Sequence, residues 1–287
     1  MRYAVIDIGT NSCRLLIAEI KAEQISPVYR SLITTRLGQG FKKNPIISGA
    51  AINRTCQALN SFMRKMQEYN VLKYRVIATS AVREATNKEE FLAIVRDECL
   101  LNVHVIDGAT EAKLNYRGVI NSLSIDKAPL VVDLGGGSTE FIYSDKLSLS
   151  IPLGAVKVLE FNMSVDEIKE AFQMLNSIQV EINEIPVVFV GGTATSLVAI
   201  KYGLENYDSS FIHGQLLSYQ EVSDLYGILS QTPLHLRKKI AGLQADRADI
   251  IVGGTLTLMT IMEILAIDEI IISVSDLLEG VISTLAN

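Results

Sequence analysis

The chain changes hydrophobic rhythm several times. Near its start, apolar runs at about residues 3–9, 14–20 and 27–35 are separated by short polar turns, which predicts three strands in a meander. From Ser48 the period lengthens: Ile52, Cys56, Leu59, Met63 and Met66 recur every three or four residues, the pattern of an amphipathic helix with Ser48 as N-cap. YRVIAT at 74–79 predicts a short buried strand, Asn87 the cap of a helix carrying Phe91, Ile94 and Val95, and NVHVID at 102–107 another strand. A long amphipathic helix is expected over about 109–123. Near Pro129 the programme restarts with three strands in LVVDL, EFIYS and LSLSIPL. A helix, a long helix through about 182, the strand VVFVG at 187–191 and further helices follow. Each half thus reads as an α/β unit: a strand-rich sheet, then crossover helices with strands between them. Ligands of such open sheets collect at strand ends and turns.

The restart is a repeat. DIGTNS at 7–12 and DLGGGS at 133–138 each end an apolar run with Asp, place Gly two residues on and Ser five residues on, and lead into a second apolar run. The copies lie 133 − 7 = 126 residues apart, about one domain length. A chain of 287 residues also exceeds the usual single domain. We therefore expect domains at 1–124 and 125–287, with the last helix free to pack back on the first. Two halves facing each other would bring both turns to one cleft.

Composition narrows the partners. Hydrophobic residues make up 48% of the chain, enough for two cores, and the net charge of −6 argues against nonspecific nucleic-acid binding. An anionic substrate remains compatible if positive groups are local. Arg14, Arg36, Lys42, Lys43, Arg83, Lys113, Arg117 and Lys157 lie near turns or motif segments, as a basic cleft or as scattered solvated charges. Cys13, Cys56 and Cys99 are widely separated and odd in number, with no CxxC or Cys/His cluster suggesting zinc, so they are expected to be reduced and half-buried. The N-terminus enters a strand at once and shows no secretory signal. The longest apolar stretch, 250–267, contains Thr and Gly residues and Glu263, and reads as a buried helix, not a membrane span. A cytoplasmic protein without membrane contact is expected.

The turns suggest a phosphate and metal grip. Glycine lets backbone N–H groups face outward, where they form nests for anions. Asp7 and Asp133, at matching positions, are either turn formers or holders of a metal ion. Only carboxylate, hydroxyl and backbone oxygens are on offer, so Mg²⁺ fits better than zinc. At the equivalent positions further on, the first copy has Arg14 and the second Glu140, so one loop gains a cation and the other a carboxylate. GGTATS at 191–196 is a third such turn, and Gly191 and Gly192 before a helix suit an anion or simply tight packing. VGG at 252–254 reads as close helix packing. Glu111, in the first turn of its helix, is equally a favourable helix-start acid or a base aimed at a cleft.

The stretches AVIDIGTNSCRLLIAEI, TTRLGQGF, ATSAVREATNKEEF, DGATEAKLNYRGV, VVDLGGGSTEF, PLGAVKVLEF, VFVGGTATSLVAI and DRADIIVGG resemble, in order and spacing, the exopolyphosphatase and guanosine pentaphosphate phosphohydrolase (Ppx/GppA) family. The resemblance runs from residue 3 to about 285. It implies an actin-like (ASKHA) fold of two ribonuclease-H-like domains with the site in an interdomain cleft. It further implies Glu111 as the water-activating base and Arg83 as a cleft arginine. Phosphate would be gripped by Thr10, Asn11 and Ser12, and by Gly135, Gly136, Gly137, Ser138 and Thr139. Asp133 and Glu140 would lie near a required Mg²⁺. The implied activity is hydrolysis of the terminal phosphoanhydride of inorganic polyphosphate. The alternatives are a guanosine pentaphosphate 5′-phosphohydrolase and a nucleotide-binding switch without efficient turnover. A homodimer is implied as well. Two departures stand out. Many relatives carry a second acid before the catalytic Glu, where this chain has Thr110. Longer relatives continue beyond the position of Asn287 into helical domains that assist grip on long polyphosphate.

Overall fold

The computed structural model describes residues 1–21, 24–41, 44–144, 147–177 and 185–285. Lys42, Lys43 and the part of the expected long helix at 178–184 lie outside the described residues. The chain divides into two units, Met1–Asn121 with Leu277–Asn287, and Ser122–Asp276. The second expected domain thus gives its last helix to the first unit. That helix, Leu277–Leu285, buries Leu277, Leu278, Val281 and Ile282 with Val5, Leu16, Ala18 and Ile77 of the first sheet.

The first unit is built on β1 (Arg2–Ile8), β2 (Ser12–Lys21), β3 (Gln24–Thr34), β4 (Lys73–Ala78) and β5 (Val103–Val105), in sheet order β3-β2-β1-β4-β5. The meander is antiparallel and β4 and β5 add in parallel. Period-2 alternation sends β1 side chains to two cores. Ala4, Ile6 and Ile8 meet the helices α1 (Gly49–Glu68) and α3 (Lys88–Cys99), whereas Val5 meets the C-terminal helix. Between them lie α2 (Ser80–Glu84) and, after β5, α4 (Gly108–Ile120). Ser48 caps α1, its Oγ accepting from Ala51 N–H at 3.3 Å. Asn87 precedes α3 but makes no side-chain cap. Its Oδ1 accepts from Ile47 N–H (2.9 Å) and its Nδ2 donates to Ile47 O (3.0 Å), tying that helix start to the segment before α1. The three cysteines are free and buried, not half-buried. Cys99 Sγ reaches Cys56 O at 3.8 Å, so helix packing brings together two residues far apart in sequence.

The second unit repeats the plan with β6 (Leu130–Leu134), β7 (Thr139–Tyr143), β8 (Leu147–Ile151), β9 (Val187–Val190), β10 (Leu216–Ser218) and β11 (Glu269–Ile272). Its order is β10-β11-β9-β6-β7-β8, the same arrangement with one extra edge strand. The helices that bear on the site are α5 (Ala155–Phe161), α6 (Val165–Ala171) and α7 (Gly192–Lys201). In place of a long helix after α5, α6 ends at Ala171 and a 3₁₀ turn follows at Gln173–Ser177. Later come α8 (Ser209–Ile212), α9 (Tyr219–Gln231), α10 (Leu234–Arg237) and α11 (Ile251–Ile264). The apolar stretch at 250–267 is indeed the buried α11. Among the described residues no helix is long and apolar enough to cross a membrane. The glycines of VGG serve close packing: a Cβ on Gly253 would sit 3.0 Å from Val158 Cγ1, and one on Gly254 would sit 2.4 Å from Thr193 Oγ1.

Candidate active site

Both copies of the repeated motif fold into the same hairpin tip. Gly9 N–H donates to Ser12 O at 3.1 Å, and Gly135 N–H to Ser138 O at 3.1 Å. The flanking registers also match, with Asp7 opposite Arg14 and Asp133 opposite Glu140. Residues opposite each other in a ladder project from the same face, so side-chain charge behind each tip is set by these two pairs.

In the first unit, Arg14 forks onto Asp7, with Nε 3.0 Å and Nη2 2.8 Å from Oδ2. Asp7 is thus neutralised by a cation, where the second unit places another carboxylate. The tip is held from behind by the segment after β3. Thr35 and Arg36 N–H groups donate to Asn11 O at 3.1 and 2.8 Å, and Gly38 N–H donates to Thr10 O at 3.0 Å. Gly38 is needed for that approach, since a Cβ there would lie 2.5 Å from Thr10 Cγ2. Asn11 Nδ2 is buried without a hydrogen-bond partner. An amide donor in that condition costs free energy until an acceptor arrives, and a phosphate oxygen is a suitable one.

Arg83 and Glu111 meet within the same unit. Arg83, on the short α2, donates through Nη1 to Ile106 O (2.9 Å) and to Glu111 Oε2 (3.0 Å). Glu111 is only 6% exposed, and a buried carboxylate needs such a partner. It stands in the first turn of α4, whose N-cap Asp107 accepts from Thr110 N–H at 2.7 Å. That bond is the main cause holding the Asp107 carboxyl below its ordinary value.

In the second unit, Glu140 is 1% exposed, and Ser150 Oγ donates to its Oε1 at 2.8 Å. One carboxylate oxygen of Asp133 and one of Glu140 lie within 4.8 Å of each other. Two like charges this close, one of them out of water, suit a hard divalent cation with oxygen ligands such as Mg²⁺. The glycine tip is braced from behind by the start of α5. Ala155 N–H donates to Gly135 O (3.0 Å) and Val156 N–H to Gly136 O (2.9 Å). Ser138 is nearly buried, and Thr139 is fully buried with its hydroxyl donating to Leu153 O at 2.6 Å, so Thr139 serves the fold through that group. Gly191, with φ +101°, packs on β6, where a Cβ would come within 2.6 Å of Leu134 O and 3.4 Å of Asp133 Oδ1. Thus the third turn adjoins the second.

Two side chains escaped the sequence reading. A Cβ on Gly192 would lie 1.7 Å from Arg247 Nη1, so a guanidinium occupies the space at the start of α7. Arg247 stands in the DRADIIVGG stretch but carries no local signal of its own. Ser150 sits at an outward position of the alternating LSLSI strand, and only its register with Glu140 singles it out.

The chain is similar to known proteins over nearly its whole length. The description Ppx/GppA phosphatase family matches residues 16–287. The chain is 34% identical, over 97% of its length, to a bifunctional 3-dehydroquinate synthase/phosphatase of Fusobacterium nucleatum, and spans 46% of that protein. It is 32% identical to exopolyphosphatase 2 of Mycobacterium tuberculosis, covering 99% of this chain and 98% of the relative. A guanosine-5′-triphosphate,3′-diphosphate pyrophosphatase of Pseudoalteromonas translucida is 28% identical over 98% of this chain and 58% of its own. The chain spans about half the length of the first and third of these relatives. The crystal structure of the Aquifex aeolicus member of the Ppx/GppA family superimposes with a TM-score of 0.81 at 32% identity, covering 100% of this chain and 97% of that one. With two like-built α/β units and the repeated tip, the chain has the actin-like fold and belongs to the Ppx/GppA phosphatase family, whose members are phosphoanhydride hydrolases.

Proposed function

We propose that this protein is an exopolyphosphatase, which removes the terminal phosphate of inorganic polyphosphate and releases orthophosphate. The observation that carries the proposal is the repeated tip with a cation behind one copy and a carboxylate pair behind the other. A polyanion and its metal counter-ion ask for that combination, because phosphoryl transfer depends on positioning and on neutralising charge at the phosphate oxygens. In this reading Thr10, Asn11, Ser12 and Arg14 of the first unit are phosphate-binding residues. Gly135, Gly136, Gly137 and Ser138 of the second unit, with Gly191 and Gly192 beside them, are phosphate-binding residues as well. Asp133 and Glu140 would hold Mg²⁺, which when bound supplies positive charge to the phosphate.

Glu111 takes a proton from a water whose oxygen attacks the terminal phosphorus. The bond to the bridging oxygen breaks, and its electron pair stays on the shortened chain. Arg83 fixes the Glu111 carboxylate and offers further N–H groups to the phosphate. Polyphosphate is favoured over guanosine pentaphosphate by two facts. The likeness to exopolyphosphatase 2 spans nearly the whole of both chains, and the sequence has 6% aromatics and no Trp to stack a guanine. The test is phosphate release from polyphosphates of several lengths and from guanosine pentaphosphate, compared as kcat/KM. Chelation should stop release and added Mg²⁺ restore it. A preference for the nucleotide over every polyphosphate would overturn the substrate, and metal-independent release would overturn the role of Asp133 and Glu140.

A further inference from the structure

We infer that Ser150 is a positioning residue that aims Glu140 at the metal, an inference resting on the reading of Asp133 and Glu140 as metal holders. In the sheet of the second unit, Asp133 lies opposite Glu140 and Glu140 opposite Ser150, so the three form one row across β6, β7 and β8. The row faces away from the main core, since Val132, Leu134 and Phe141 of the alternate positions belong to that core. The corresponding row of the first unit reads Asp7, Arg14, Leu32. There the arginine forks onto the aspartate, and an aliphatic residue closes the row. A hydroxyl donor therefore stands next in line where the row holds two carboxylates, and an alkyl group where it holds an ion pair.

The chemistry follows from that difference. Two adjacent carboxylates repel, and a glutamate with three side-chain torsions relieves the repulsion by turning away. The Ser150 hydroxyl, 2.8 Å from Glu140 Oε1, opposes that rotation and fixes one oxygen of a group that is 1% exposed. The neighbouring Thr139 bond to Leu153 O, 2.6 Å, holds the start of β7 to the chain leaving β8, so donor and acceptor share one rigid frame. Donors behind ligating carboxylates set ligand orientation, and their loss typically costs about 10- to 100-fold in metal affinity or activity.

The experiment compares Ser150→Thr with Ser150→Val, which match in shape on an edge strand and differ by the hydroxyl. Mn²⁺ binding without substrate, followed by electron paramagnetic resonance and competed with Mg²⁺, reads the effect apart from turnover. Ser150→Val should weaken metal binding about tenfold or more, raise the Mg²⁺ concentration for half-maximal rate by the same factor, and leave kcat at saturating Mg²⁺ near that of the parent. Ser150→Thr should restore both, and each variant should still unfold in one cooperative thermal transition, with Ser150→Val the lower of the two because it loses a donor to a buried carboxylate. Equal metal affinity in the two variants would overturn the role of Ser150. If Glu140→Gln also binds Mn²⁺ like the parent, the metal reading falls and the inference falls with it.

Discussion

Replacing Gly154 with alanine tests whether the glycine tip must be braced by α5. The backbone of Gly154, φ −144° and ψ 178°, is open to any residue, so the substitution strains nothing locally. The added Cβ, however, would lie 2.6 Å from Gly135 O, 2.6 Å from Gly136 C and 2.7 Å from Gly136 O. All three are backbone atoms, and ordinary contact starts near 3.5 Å, so the tip must retreat by about 1 Å. The bonds from Ala155 and Val156 N–H, now 3.0 and 2.9 Å, would then stretch out of range. At about 1 kcal/mol each they account for about 2 kcal/mol, and residual crowding adds about 1–2 kcal/mol. Lower entropy of the unfolded chain offsets about 0.5–1 kcal/mol, leaving a net loss of about 2–3 kcal/mol. For a unit of this size that lowers the unfolding midpoint by about 5–10 °C. Displacing the grip by about 1 Å should also cut kcat/KM about 100-fold. Thermal unfolding and phosphate release measure the two effects, with Gly227→Ala as control because nothing lies within 4 Å of a Cβ there. A Gly154→Ala protein with parental midpoint and parental kcat/KM would refute the bracing argument.

Glu111→Gln should keep the bond from Arg83 but lose about 100-fold or more in kcat, as expected for a positioned base; near-normal turnover would remove Glu111 from the chemistry. Arg83→Ala should be worse for stability than Glu111→Gln, because it removes the cation paired with a carboxylate that is 6% exposed; equal urea midpoints for the two variants would contradict this. Tyr219 Oη donates to Glu263 Oε1 at 2.5 Å, and this bond, then burial, pushes Tyr219 up to about 12, while the same bond, then Lys169, lowers Glu263. The tyrosine contribution is whole below its ordinary 10.0 and lost as pH climbs to about 12; the glutamate contribution is whole above 4.5 and lost as pH falls through the lowered value. Tyr219→Phe should therefore flatten the alkaline decline in unfolding midpoint, and an unchanged profile would refute the assignment. Burial raises the Cys13 and Cys56 thiols to about 12, so a thiol reagent at neutral pH should label them only after unfolding; rapid labelling of the native protein would show the core to be open.

Much of this was legible because the signals are local. The meander, the Ser48 cap and the buried helix at 250–267 follow from spacing within a few residues. The repeated Asp-x-Gly turn announced two units because its copies share both sequence and distance from their flanking strands. What stayed hidden depends on pairing between distant segments. Asn87 looks like a helix cap, yet its amide is better satisfied by both polar groups of Ile47. Arg14 and Asp7 were separate candidates for phosphate and metal, and only the strand register shows that they bind each other. The short edge strand β10 and the strand β11 have too few residues to stand out from the helices around them. Ser150 is one serine in an alternating strand until β8 is laid beside β7.

The bond that closes each tip runs between backbone atoms of Gly9 and Ser12, or of Gly135 and Ser138, and is blind to the side chain two positions further on. That indifference leaves the closure of the hairpin independent of the charge at position 14, or 140, which is matched instead by side chains beside it: Asp7 for Arg14 and Ser150 for Glu140. A different residue there switches the pair behind a tip between an ion pair, as with Asp7 and Arg14, and two carboxylates, as with Asp133 and Glu140, without breaking the closing bond. Two near-copies of one backbone part thus carry different electrostatic surroundings, because the part that folds the turn and the part that sets its charge are separate atoms of the same few residues.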